Sequence, residues 1–190
     1  RAYTDLIGGI AVNSLGHCHP AVVEAIRKQC GELMHISNLY QHPLQVRLAE
    51  KLGEHYPDGR FFFCNSGAEA NEAAIKLVRR WGRENSGPER HVIVSAEGSF
   101  HGRTTGALTA TGQEQYRKDF EPLLPGFRYV PFGDADALEK AVGDDTCAVM
   151  LEPIQGEGGV VVPPEGYLGR AAELCRKRGA LLVYDEVQTG

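Results

Sequence analysis

No apolar run in this sequence approaches the roughly 20 residues that a membrane-crossing helix needs; the longest, such as positions 180–184, reach only the length of a strand. Nothing here is expected to span a bilayer. Positive charge is also in short supply. The chain carries 20 Lys and Arg against 25 Asp and Glu, a formal net charge of -5, with a pI near 5.8. It lacks the basic field that holds phosphodiester backbones, so nucleic acid is not an expected partner. Cysteine is sparse, odd in number and widely spaced, at Cys18, Cys30, Cys64, Cys147 and Cys175. That pattern suits reduced core thiols in a cytoplasmic protein rather than a disulfide framework. His17, Cys18 and His19 stand together, but no second ligand cluster at zinc spacing accompanies them, so no metal site is expected. A Walker or Rossmann glycine pattern is missing. So are internal repeats, low-complexity tracts and any basic stretch leading into an apolar core, and no export signal is expected.

What is present is an ordinary globular composition. Of the 190 residues, 42% are hydrophobic and 24% charged, enough for one large domain or one and part of another. Apolar residues recur at helical spacing over 20–34 (Val22, Ile26, Cys30, Leu33) and 43–55 (Leu44, Leu48, Leu52), and Pro57-Asp58-Gly59 marks a turn. The rhythm then changes. Short β-prone segments at 61–65, 92–95, 128–131, 147–151 and 180–184 alternate with helical ones at 68–83, 135–142 and 165–178. This alternation predicts an α/β fold, a mostly parallel sheet with helices on both faces. The expected organisation is an N-terminal segment over 1–57 and a larger α/β region over 58–190. Gly190 follows a central strand at once, so the larger region is expected to be incomplete.

Ser66-Gly67-Ala68-Glu69 lies where a predicted strand enters a long helix, whose apolar stripe is read as Ala70, Ala73, Ala74, Leu77 and Trp81. Ser66 followed by Glu69 fits a capping box: the serine satisfies a helical N–H and the glutamate reaches back. Such a box leaves the N–H groups of Gly67 and Ala68 free to meet an anion, which the helix dipole favours. Many capped helices bind nothing, so both readings stand.

Three further segments reach the carboxyl edge of the expected sheet, where ligands of open α/β folds bind. The strand at 180–184 delivers Asp185, Glu186, Val187 and Gln188. A half-dry Asp185 stays ionised only beside a cationic or proton-bearing partner, such as a protonated pyridine nitrogen; it also fits a plain helix or turn cap. The loop Ser99-Phe100-His101-Gly102-Arg103-Thr104 offers an aromatic face for stacking and a guanidinium for a carboxylate. Its bland alternatives are a core plug and a surface charge. The loop at 152–159 holds Glu152 and Glu157 among glycines, and pairing with an arginine is the economical role.

Taken together, positions 63–72, 99–104, 151–159 and 184–190 closely resemble the class III aminotransferases, pyridoxal-phosphate enzymes of fold type I. Positions 9–20 look most like the acetylornithine and succinylornithine branch, with ornithine and 4-aminobutyrate aminotransferases as near relatives. The resemblance implies the large domain of that fold, bound pyridoxal 5'-phosphate, a homodimer with its active site near the interface, and amino-group transfer to 2-oxoglutarate in arginine biosynthesis. Carried over residue by residue, it implies that Gly67 and Ala68 hold the phosphate while Phe100 and Val187 flank the ring. Asp185 would pair with the ring nitrogen as the catalytic carboxylate, and Gln188 would lie near the ring's 3-oxygen. Arg103 would hold a substrate carboxylate, Glu157 would engage a gating arginine further along, and Asn13 and Tyr40 would help line the substrate side. His101 receives no role.

One family feature is missing. The Schiff-base lysine is expected downstream of Asp185, and none of Lys28, Lys51, Lys76, Lys118, Lys140 or Lys177 matches its motif. These residues alone are expected to be inactive, since that amine is both nucleophile and proton carrier. Two rivals remain at this level: a non-catalytic binding module on the same fold, and a nucleotide-binding α/β protein.

Overall fold

The computed structural model describes residues 1–190, which group into two compact units, 1–63 and 64–190. In the first unit, α1 (Gly8–Ala11) is a single turn whose Gly9 and Ile10 have positive φ, followed by α2 (Pro20–Cys30) and α3 (Pro43–Gly53). Both longer helices open on a proline at a first-turn position, where its missing N–H costs nothing. The helix expected over 20–34 stops at Cys30, because Gly31 takes the C-cap.

The second unit is the α/β body. It runs α4 (Gly67–Ser86), β1 (Val92–Ala96), α5 (Thr105–Ala110), α6 (Glu114–Arg117), β2 (Phe127–Val130), α7 (Ala135–Ala141), β3 (Thr146–Leu151), α8 (Tyr167–Arg178) and β4 (Leu181–Tyr184). The strands form one sheet in the order β2-β1-β3-β4, and every ladder is parallel. Period-two alternation sorts the strand side chains to two faces. Val94, Ala96, Val149 and Leu151 pack with α7 and α8 through Leu138, Tyr167, Ala171 and Leu174. Ile93, Ala148 and Met150 pack on the other face with Ile75 and Val78 of α4 and Ala110 of α5. The expected fold class is thus observed, with β1 and β3 buried along their whole length as central parallel strands should be.

Four sequence expectations change. Residues 61–65 are paired with no strand, so four strands stand where five were expected, and Phe62 is exposed. The buried face of α4 is Asn71, Ile75, Val78 and Gly82, not the alanine-rich stripe; Leu77 is 66% exposed. Both rows have helical spacing, and the sheet takes the one that carries the β-branched residues. The cysteines divide as well: Cys147 and Cys175 are buried, whereas Cys18, Cys30 and Cys64 are exposed, and all are free thiols. The fourth change is the short helix α5, which the sequence pattern did not announce. Its buried face is built of Gly, Ala, Leu and Thr, with almost no polar-apolar contrast.

Candidate active site

Ser66 is extended and caps α4, its Oγ accepting the Glu69 N–H at 3.2 Å. Glu69 reaches back one residue further than a capping box requires: its Oε2 accepts the Asn65 N–H at 2.7 Å and the Asn65 Nδ2 at 2.8 Å. The N–H groups of Gly67 and Ala68 therefore remain without an intrahelical partner, pointing out of the positive end of a 20-residue helix. Gly67 is required here by space rather than by conformation. A Cβ on it would lie 2.8 Å from Cγ2 of Val187, so its absence lets the segment after β4 close onto the start of α4. Gly102 performs the same service from the loop after β1. Its φ is 128°, and an added Cβ would lie 2.9 Å from the Cβ of Ala68.

These close approaches place Asp185 beside His101 and Asn71. Asp185 follows β4 and is 8% exposed; His101, in the loop after β1, is 2% exposed. Oδ2 of Asp185 accepts from Nδ1 of His101 at 2.7 Å and from Nδ2 of Asn71 at 2.7 Å, while Oδ1 accepts the Val187 N–H at 3.1 Å. An ionised carboxylate has only acceptors, so Nδ1 is the donor of the His101 pair. Burial pushes the Asp185 carboxyl upward, but the bonds from His101, its charge, Asn71 and the Val187 N–H outweigh burial and leave it below its ordinary value of 3.8. On Nε2 of His101 the neighbour is Ser95 Oγ at 3.4 Å, and the Ser95 hydroxyl itself donates to the carbonyl of Ala110 at 2.6 Å. Asn71 also donates to the carbonyl of His101 at 2.7 Å, which fixes the loop and the carboxylate together.

Glu152, at the end of β3, is buried and meets no arginine. Its Oε2 accepts the Phe100 N–H at 3.0 Å and its Oε1 the Gly156 N–H at 3.3 Å, so it ties the loop after β1 to the loop after β3. Burial raises its carboxyl above the ordinary value, against the lowering effect of the Phe100 N–H and of His101. Arg103, Phe100 and Glu157 surround Tyr116 on α6. The Arg103 guanidinium lies 5.0 Å from the Tyr116 ring centre and 5.8 Å from that of Phe100, and the Tyr116 hydroxyl donates to Oε1 of Glu157 at 2.5 Å. Val187 and Gln188 are exposed, with Gln188 seated against Gly156, where an added Cβ would lie 3.3 Å from its Cγ. Asn13 and Tyr40 belong to the 1–63 unit, where Asn13 Nδ2 meets Nδ1 of His17 at 3.3 Å and Tyr40 is exposed.

The structure thus places Phe100, Arg103, Glu157, Asp185, Val187 and Gln188 in the segments that follow β1, β3 and β4, while Gly67 and Ala68 open α4 against Val187 and Gly102. A concavity of about 490 Å³ against α7 and α8 contains none of them. Sequence reasoning missed His101, Asn71 and Tyr116. For Asn71 a signal existed, a polar residue on the Asn71, Ile75, Val78 helical row; for the other two only the folded contacts speak.

The family model for aminotransferase class-III matches residues 1–190. The chain belongs to the class III aminotransferases. Among curated relatives, it is 55% identical over 190 residues to the acetylornithine aminotransferase of Caldanaerobacter subterraneus, an alignment covering 100% of this chain and 48% of that protein. It is 53% identical to that of Myxococcus xanthus, covering 100% of this chain and 47% of the relative. The chain spans about half the length of the curated relatives it matches. Among solved structures, the ornithine aminotransferase of Toxoplasma gondii superposes with a TM-score of 0.93 at 36% identity, covering 99% of this chain and 45% of that one. That crystal structure shows partial occupancy of PLP at its active site. The N-acetylornithine aminotransferase of Stenotrophomonas maltophilia superposes at 0.83 with 43% identity, over 99% of this chain and 46% of its own. In this class III chain, no helix is long and apolar enough to cross a membrane.

Proposed function

We propose that the full-length protein is a cytoplasmic, homodimeric acetylornithine aminotransferase that moves the terminal amino group of N-acetylornithine to 2-oxoglutarate on pyridoxal 5'-phosphate, a step of arginine biosynthesis. The observation that carries this reading is Asp185, buried and ionised at the end of β4 by His101 and Asn71, opposite the unpartnered N–H groups of α4. The buried acid and free helix start together fit a flat, phosphorylated heterocycle with a basic nitrogen. The relatives named above favour N-acetylornithine as donor, since acetylornithine aminotransferases are the curated proteins it matches at 55% and 53% identity.

When bound, pyridoxal phosphate supplies an aldehyde that takes up the amino group and a ring that withdraws electrons from the neighbouring carbon. The residues of this chain hold and tune it. Gly67 and Ala68 present two N–H donors and the helix dipole to the phosphate. Oδ2 of Asp185 already accepts two hydrogen bonds and Oδ1 only one, so Oδ1 retains a lone pair to keep a proton on the ring nitrogen. With the cofactor bound, Phe100 and Val187 would flank the ring, and Gln188 would serve its 3-oxygen. Arg103 receives the substrate carboxylate as a bidentate partner. Glu157 serves an arginine, and the Schiff-base lysine and this arginine are assigned to the part of the full-length protein beyond these residues.

Mixing full-length protein with the cofactor should give an absorbance band that shifts when N-acetylornithine is added and returns with 2-oxoglutarate. A cofactor band that ignores N-acetylornithine sinks the donor assignment, and the absence of any band sinks the enzyme reading.

A further inference from the structure

The start of α5 has no acceptor of its own. Its N-cap residue, Thr104, makes no side-chain hydrogen bond to the helix, and its first turn holds no acidic residue. Gly106 and Ala107 are buried, so water does not serve their N–H groups, which a helix start leaves without an intrahelical partner. The acceptor comes from another helix, 34 positions before Gly106. Oε1 of Glu72, on α4, takes the Gly106 N–H at 2.8 Å and the Ala107 N–H at 3.2 Å. A carboxylate at this end of a helix also suits its dipole. Gly106 makes room for it, since an added Cβ would collide with Oε2 of Glu72.

Glu72 lies one helical turn after Ala68, on the same face of α4. The chain entering α5 is therefore fastened to that face twice, by Gly102 against Ala68 and by Gly106 and Ala107 on Glu72. Arg103 stands between the two fastenings. Its guanidinium forms no hydrogen bond within the chain and rests only over the rings of Tyr116 and Phe100. With no hydrogen-bonded anchor at its head, its reach is set by the backbone of residues 102–107.

We propose that Glu72 is a positioning residue for the substrate-carboxylate site: by capping α5 it fixes the segment that carries Arg103 at a set offset from the start of α4. This rests on the reading that Arg103 receives the substrate carboxylate and that α4 receives the phosphate. Cofactor and substrate carboxylate are then both referred to one helix, and Glu72 sets the span between them. Loss of the second fastening weakens substrate binding rather than the chemical step.

The test uses the full-length holoenzyme and steady-state kinetics with N-acetylornithine and 2-oxoglutarate. In Glu72→Ala two buried N–H groups lose their acceptor and the segment shifts, so KM for N-acetylornithine should rise roughly tenfold while kcat is little changed. Glu72→Gln keeps an oxygen for both N–H groups and loses only the charge, so KM should stay within about threefold of the parent. Gly106→Ala is favourable for helix propensity but pushes the carboxylate away, and should reproduce the Glu72→Ala effect. It carries the test alone if Glu72→Ala yields no folded holoenzyme. The two changes together should raise KM no further than either one. In an Arg103→Met background, Glu72→Ala should leave KM where the single Met variant put it. A KM unmoved by Glu72→Ala, raised equally by Glu72→Gln, or raised again in the Met background overturns the proposal. Arg103→Met separates the two levels. If it raises KM while Glu72→Ala does not, only the positioning role falls; if it leaves KM unchanged, the carboxylate reading falls and takes the positioning role with it.

Discussion

His101 and Asp185, 84 residues apart in sequence, meet at 2.7 Å with neither side chain open to solvent. A buried carboxylate costs several kcal/mol unless it is paired and hydrogen-bonded, and here three donors, from His101, Asn71 and the Val187 N–H, converge on it. The pair links the end of β4 to the loop after β1, and its chemistry gives the first prediction.

Because Asp185 titrates below its ordinary 3.8 in the folded chain, its paired state stabilises the fold fully above about that pH. The contribution is lost as pH falls through the lowered value. Asp185→Asn should therefore lower the melting temperature of the full-length protein at pH 7, and the gap to the parent should close only at pH values under 3.8. His101→Ala should cost about 1–3 kcal/mol by leaving Asp185 short of a donor. A gap that closes already near pH 6 would falsify the assignment of Asp185 as a carboxylate held ionised.

Gly67→Ala separates helix stability from site geometry. Alanine at an ordinary helical position gains up to about 1 kcal/mol over glycine, but here the new methyl would sit 2.8 Å from Val187 Cγ2. Cofactor affinity, followed by spectrophotometric titration, should weaken even where the melting temperature is maintained. Unchanged affinity would show that Val187 yields freely and that the close approach has no role.

Glu152→Gln keeps shape but replaces one of two acceptor oxygens with a donor. Either the Phe100 N–H or the Gly156 N–H then loses its acceptor, at a cost of about 1–3 kcal/mol. Because the Glu152 carboxyl is raised by burial, its ionisation opposes folding as pH climbs through the window above its ordinary 4.5. The variant should be most handicapped at the acid end of that window and less so at neutral pH. Urea midpoints measured across this range check the sign.

Burial raises the thiols of Cys147 and Cys175 to about 11 each. Brief alkylation with iodoacetamide at pH 8 should leave both unmodified in the native protein and modify them after denaturation, read by peptide mass. Native labelling at either position would contradict the packing of β3 or α8.

Much of this protein is written locally. The positions of β1, β2, β3 and β4 and of α4, α7 and α8 follow from apolar runs and spacing within single segments, and the Ser66 cap from two residues read together. The parallel sheet follows from their alternation, because parallel strands need a crossover connection between them. The segment at 61–65 shows the limit: an apolar run has strand propensity, but a strand exists only where a neighbouring edge accepts its hydrogen bonds, and none here does. α4 shows another, since two of its rows are apolar enough to bury and only the packed sheet selects Ile75 and Val78 over Ala74 and Leu77.

By itself the sequence determined the α/β class, the motifs of the family and the residue types gathered at the strand ends. Tertiary structure alone decided that His101 and Asn71 share Asp185, that Glu152 joins two loops, and that Tyr116 contacts both Arg103 and Glu157. The physical reason is separation: propensity and periodicity act over neighbouring residues, whereas the hydrogen bonds that tune this carboxylate span as many as 114 positions and exist only once the sheet has brought its loops together.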